Sequence, residues 1–136
     1  MDETIPLTGV TPHITIRDGR AAEAIDFYTA AFGATEIRRQ LADDNRRLLH
    51  AHLLIHGGSL MLHDDFPEFA GGEPAAEPNG VMLHLQVDDA DAVWERAASA
   101  GAQVRSPLAD QFWGDRYAQV TDPFGHCWSI GSAKKG

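Results

Sequence analysis

The stretch VTPHITIRDGRAAEAIDFYTAAFGA, residues 10–34, and the stretch VMLHLQVDDADAVWERAASAGA, residues 81–102, carry one pattern twice. In the first, Val10, Pro12, Ile14 and Ile16 alternate with Thr11, His13, Thr15 and Arg17, the two-residue period of a strand with one apolar face. From Arg20 to Phe32 the period changes: Ile25, Tyr28 and Phe32 recur at helical spacing, Asp18 is the expected cap, and Gly33 supplies a left-handed stop. In the second stretch Val81, Leu83, Leu85 and Val87 form the strand track and Asp88 or Asp89 the cap. Val93, Trp94, Ala97 and Ala98 form the inward helix face, and Gly101 the stop. Gly33 and Gly101 lie 68 positions apart, and Ile14 and Leu83 lie 69 apart, in a chain of 136. Both offsets are within one residue of half the length, which is the signature of a duplicated module.

Working outward, residues 34–42 and 46–56 read as strands joined through ADDNR, and Gly57-Gly58 turns the chain into a third strand over 59–64. In the longer strand Leu49, Ala51, Leu53 and Ile55 form one face and His50, His52 and His56 the other. The segment DDFPEFAGGEPAAEPNG, residues 64–80, has no periodicity and reads as a linker, either a solvated connector or a lid, with Phe66 and Phe69 as lid or core contacts. Strands near 102–106, 116–121 and 126–131 complete the second module. The expectation is an α+β fold of two βαβββ modules forming paired curved sheets around a cleft. One domain then spans 1–136, with module 1 at about 10–65, the linker at 66–79 and module 2 at about 80–132.

If a helix covers the apolar face of each sheet, alternation assigns the opposite faces to the cleft. These carry His13, Thr15, Met61 and His63 in the first module and Met82, His84 and Ser129 in the second, together with Arg17, Ser59, Gln86 and Cys127. A mixture of polar and soft apolar side chains suits a ligand pocket. A single bulge would reverse the parity of a strand.

Eleven basic against twenty acidic side chains give a net charge of −9, which repels phosphate backbones and anionic membranes, so nucleic acid is not an expected partner. No apolar run approaches the roughly 20 residues of a membrane span, and MDETIPLTG has no secretory pattern, so the expected compartment is the cytoplasm. The single cysteine, Cys127, forms no internal disulfide and is expected to be packed within a strand. No G-x-S-x-G, Walker loop, Cys-x-x-Cys or dinucleotide fingerprint occurs.

IDFYTAAFGA at 25–34, DQFWGDRYAQVTDPFGHCWSI at 110–130 and the duplication itself resemble the vicinal oxygen chelate superfamily of glyoxalase, bleomycin-resistance and ring-cleaving dioxygenase proteins, most of all its PhnB-like branch. The similarity runs from about Val10 to Ser132. It implies the fold above and a homodimer. It leaves the reaction open, because the fold serves metal-dependent isomerases, lyases and dioxygenases as well as metal-free antibiotic-binding proteins. The family's enzymes hold a divalent metal with four side chains, and the corresponding positions here are His13, Met61, Met82 and Ser129. Only His13 suits a hard divalent cation, so the resemblance implies that the usual metal site is absent and no cofactor is required.

Histidine is nevertheless abundant, with seven in the chain. His63 and His84 each lie two residues along a strand from a vacant ligand position, and with His13 they could form an irregular metal site. His50, His52 and His56 could gather metal adventitiously. His126 and the turn Asp122-Pro123-Phe124-Gly125 read as structural. In the segment from Asp110 to Tyr117, Phe112 and Trp113 before Gly114-Asp115 indicate a hairpin tip. Trp113 and Arg116 are either a wall and an anion hook of the pocket, or packing and turn-fixing groups. The leading expectation is a metal-free binder of a small organic molecule, with His13, His84, Trp113 and Arg116 foremost. The alternative is a lyase or isomerase with a displaced His-rich metal site, or with His13 or His84 as a general base. A third reading is an accessory module acting through its dimer surface.

Overall fold

A computed structural model describes residues 7–134. Its elements run β1 (His13–Ile16), α1 (Ala21–Phe32), β2 (Thr35–Leu41), β3 (Leu48–Ile55), β4 (Gly58–Asp64), β5 (Met82–Gln86), α2 (Ala90–Ala100), β6 (Gln103–Asp110), β7 (Asp115–Thr121) and β8 (Cys127–Ala133). This is βαβββ twice, an α+β fold. Each set of four strands makes its own mixed sheet, ordered β1-β4-β3-β2 and β5-β8-β7-β6. In each, the first strand lies parallel to the last and the other pairings are antiparallel. Among the described residues two compact units result: residues 7–29 with 33–76, and residues 30–32 with 77–134.

In the first unit the core side of the sheet is formed by Ile16, Leu53, Ile55, Leu60 and Leu62, all nearly inaccessible. Val10 is 99% exposed, and the strand begins only at His13, so the apolar track is shorter than the alternation predicts. The parity of β3 breaks at its start: the register jumps between Gln40 opposite His50 and Leu41 opposite Leu48, so the bulge buries Leu48 and turns Leu49 outward. His56 lies beyond the end of β3, in a left-handed turn with φ 49°, so it does not share the strand face with His50 and His52.

The start of α1 is also built differently from the expectation. Asp18 adopts φ 65° within a 3₁₀ turn over Arg17–Gly19 and provides no cap. Its role passes to Asp64 at the end of β4, a fully buried carboxylate that accepts from Ala21 N–H at 2.9 Å and from Leu48 N–H at 2.7 Å. One side chain thus fastens the helix start and the bulged strand to β4. Gly33 ends α1 in the left-handed conformation, with its N–H on the Thr29 carbonyl.

The linker begins as a 3₁₀ turn at Pro67–Phe69 held by Arg47, which pairs with Asp44 at 2.7 Å and Glu68 at 2.6 Å and lies 4.4 Å from the centre of the Phe66 ring. Asp65 accepts from Ala75 N–H at 2.7 Å, while Phe69 is 80% exposed.

In the second unit Asp89 caps α2, accepting from Ala92 N–H at 3.2 Å, and Gly101 stops it. The buried helix face is Ala90, Val93 and Ala97, with Trp94 half-buried and Ala98 exposed, which shifts the inward stripe from the expected one. The turn before β8 is organised by buried Asp122, which accepts from the backbone of Phe124 and His126 and from the Trp128 indole, each at 2.9 Å. Trp128 in turn packs on Phe32, centroids 4.6 Å apart. Cys127 opens β8 and is half-exposed, its sulfur 2.9 Å from Arg105 Nη1, rather than packed mid-strand.

Candidate functional site

Each sheet has a face opposite its core side, and the register fixes which residues share it. In the first unit His13 stands opposite Met61 and Thr15 opposite His63, while β3 brings His52 opposite Met61. Three imidazoles meet edge to face: His13 and His63 at 4.8 Å between centroids, His13 and His50 at 5.9 Å. His63 donates from Nδ1 to the Asp64 carbonyl at 2.7 Å, which leaves Nε2 to accept the Thr15 hydroxyl at 3.3 Å. His52 is buried and shares a 2.9 Å hydrogen bond with Ser59. Burial first, then the neighbouring charges of His63 and His50, lowers the pKa of His13 below the ordinary histidine value. His50 is lowered by burial and then by Arg38, His52 and His63.

In the second unit Met82 stands opposite Cys127, His84 opposite Ser129 and Gln86 opposite Gly131, with Tyr117 flanking Gly131 from the other side. His84 is hydrogen-bonded at both ring nitrogens: the Ser129 hydroxyl lies 2.7 Å from Nδ1 and Gln86 Oε1 lies 2.8 Å from Nε2. With the amide oxygen as acceptor, Nε2 carries the proton and Nδ1 receives the serine hydrogen. The ring lies over Gly131, where a Cβ would come within 3.1 Å of His84 Cε1 and 3.2 Å of Gln86 Oε1. Glycine at this position therefore lets the two side chains lie down on the sheet. His84 stacks on Tyr117 with centroids 6.2 Å apart and planes 22° apart, and Trp113 meets Tyr117 edge-on at 5.3 Å. Trp113 is half-exposed and touches Phe112, which is 97% exposed at the β6–β7 hairpin tip.

Arg116 is fully engaged within the unit. It forks onto Asp91 at 3.0 Å and reaches Asp110 at 3.2 Å, and both carboxylates raise its pKa. An anion meeting Arg116 would have to displace a carboxylate already in place. A hollow of about 390 Å³ lies beside Met82, lined also by Gly80, Val81, Arg105 and Cys127, a volume suited to a small ligand. A second, of about 530 Å³, is lined largely by alanines with Glu95 and Arg96 and holds none of the expected site residues.

Among the four positions corresponding to the family's metal ligands, Met61 faces His13, but Cys127 rather than Ser129 faces Met82. Two thioethers and a serine hydroxyl already bonded to His84 do not fit a hard divalent cation. Among the described residues no group of three or more His, Cys, Asp or Glu side chains is arranged to hold a metal ion. Sequence reasoning missed Gln86 as the acceptor for His84, Tyr117 as its stacking partner and the close approach of His50 to His13. The alternation in β5 placed Gln86 on the right face, but only the pairing across β8 and β7 reveals what lies between it and Tyr117.

Comparison with known proteins agrees with this architecture. The model of the family described as Glyoxalase/Bleomycin resistance protein/Dioxygenase superfamily matches residues 11–130. Uncharacterized protein Mb0911c of Mycobacterium bovis is 47% identical over 126 residues, covering 90% of this chain and 81% of its own. Among solved structures, protein PA1353 from Pseudomonas aeruginosa superposes with a TM-score of 0.74 at 26% identity, covering 95% of this chain and 100% of its own. TioX from Micromonospora sp. ML1 gives 0.67 at 28% identity, covering 92% and 99%.

Proposed function

Because the chain belongs to the Glyoxalase/Bleomycin resistance protein/Dioxygenase superfamily, we propose that it binds a small organic molecule without the family's four-ligand metal site, in the manner of the antibiotic-binding members. The observation that carries this reading is the prepared face of the second sheet. His84 is held by Ser129 and Gln86 over Gly131 and continued by Tyr117 and half-exposed Trp113. Such a face combines fixed polar groups with aromatic surface, the usual composition of a ligand site. Thr15, His63 and His13 offer similar groups on the first sheet. The Trp113 indole supplies contact area and Met82 a soft apolar edge. A homodimer in the cytoplasm completes the proposal.

Ligand-dependent thermal stabilisation tests it on tag-free protein, screened against antibiotics and small metabolites. A compound present at 100 times its Kd raises stability by about 2.7 kcal/mol. We expect a saturating ligand that is recovered unchanged, with Trp113→Ala and His84→Gln removing the stabilisation while leaving the unliganded unfolding midpoint nearly in place. Turnover of the compound would instead support the second reading, in which His84 acts as a general base. The specific observation behind that reading is the 2.7 Å approach of the Ser129 hydroxyl to Nδ1. Stoichiometric transition metal in protein purified without added metal would point to a metalloenzyme.

A further inference from the structure

Arg105 is the extra residue of a bulge in β6. Val104 stands opposite Val120 and Ser106 opposite Gln119, so no residue of β7 pairs with the one between them. A bulge re-aims the side chain it carries, and here the guanidinium passes over β7 and sets Nη1 2.9 Å from the Cys127 sulfur on β8. Arg20, Arg39, Arg47 and Arg116 are each held by carboxylates. Arg105 forms no ion pair among the described residues, and its partner, sulfur, is a weak acceptor that leaves most of the planar donor fork unengaged. Arg105 and Cys127 both line the hollow of about 390 Å³ beside Met82, and among the described residues of that lining Arg105 carries the only charge. The hollow continues the prepared face of the second sheet. Met82 lies opposite Cys127 and His84 opposite Ser129, so the two pairs share one face and stand one step, about 7 Å, apart along the strands.

We propose that this hollow takes the carboxylate of a small organic acid, with Arg105 as the anion hook. A planar guanidinium matches a carboxylate through parallel N–H···O bonds. One guanidinium balances one negative charge, and in a chain of net charge −9 this favours a monoanion over a doubly charged phosphate. The body of the acid then runs along the face toward His84 and Tyr117. The proposal rests on the reading of that face as a ligand site, and it places the hook at Arg105 rather than at Arg116, which Asp91 and Asp110 already hold.

The single cysteine of the chain reports on the hollow directly. Iodoacetate carries a carboxylate, and iodoacetamide is its neutral counterpart. With either, the Cys127 sulfur forms a C–S bond as the C–I bond breaks, iodide leaves and the thiol proton passes to buffer. The experiment compares alkylation rates of the whole protein with the two reagents at constant ionic strength, following the adduct by intact mass. The rate with iodoacetate is expected to level off as the reagent rises, the mark of a reversible complex before alkylation, while the rate with iodoacetamide stays linear. Arg105→Gln removes the saturation and lowers the ratio of the iodoacetate rate to the iodoacetamide rate by about tenfold or more. Taking the ratio cancels any change in the nucleophilicity of the thiol itself. Arg39→Gln, in the first unit, leaves the ratio unchanged. A linear dependence on iodoacetate in the wild type, a ratio unaltered by Arg105→Gln, or a Cys127 that resists both reagents would overturn the proposal. Saturating iodoacetate kinetics with no stabilising compound in the thermal screen would keep the anion hook and remove the wider ligand reading. Stabilisation by an uncharged compound with linear iodoacetate kinetics would do the reverse.

Discussion

Asp64 shows what a single residue contributes and why it was hidden in the sequence. The local rule assigns the cap of α1 to Asp18, a few residues before the helix. The working carboxylate is 43 positions from Ala21 and is brought there only when β4 pairs with β1. It is fully buried and accepts from two backbone donors, so its loss leaves both N–H groups unsatisfied in the interior. Asp64→Asn keeps the shape but turns a donor toward one of them, and we expect it to lower unfolding stability by about 1–3 kcal/mol in a urea titration. Asp18→Asn should change it by no more than about 0.5 kcal/mol. The same contrast holds at Gly131: a glycine in a strand is visible in the sequence, but its reason, the rings lying across it, needs the neighbouring strand.

At the level of elements, what repeats was legible and what interrupts was not. The choice of Asp89 over Asp88 as cap and the late start of β1 at His13 come from the structure, whereas the existence of strands β1 and β5, the stops at Gly33 and Gly101 and the β6–β7 hairpin follow from period and turn chemistry alone. The bulge that exchanges Leu48 for Leu49 does not, because both are leucine and alternation is blind to an added residue. The linker had no period to read, yet its first part is structured through Arg47. Ion pairs at the surface add little to global stability, on the order of 0–1 kcal/mol, but a clamp can govern local opening. Arg47→Gln should therefore leave the unfolding midpoint nearly unchanged while accelerating limited proteolysis between Ala70 and Glu73. Equal cleavage rates would show that the clamp does not hold the segment.

For the molecule as a whole, duplication made the α+β fold legible, whereas the chemistry has diverged between the copies. The first sheet gathers imidazoles; the second sets one imidazole among hydroxyl, amide and aromatic groups. The first arrangement gives a pH dependence of known sign. His13 and His50 are lowered from the ordinary value of 6.5, so between that value and their native ones the unfolded chain binds more protons. Their contribution to stability is present above that window and is lost as pH falls through it. Between about pH 7.5 and about pH 5.5 the wild type should lose more stability than His13→Gln, with a difference in unfolding midpoint of about 1–4 °C. Parallel curves for the two proteins would contradict it.

The parallel pairing within each sheet also bears on the order in which the chain assembles. Strands β2, β3 and β4 follow one another through short turns and pair with near neighbours, whereas β1 waits for a partner 48 residues away, His13 beside Met61. Closing that distance costs loop entropy before any contact repays it, so we expect the meander to form first and the edge strand to dock last, with hydrogen exchange in pulse-labelled refolding protecting β3 before β1. The second unit repeats the sequence of events, with β5 waiting for β8. On the ribosome, the first sheet can close as soon as Asp64 has emerged, while the strands of the second are still within the exit tunnel or unmade.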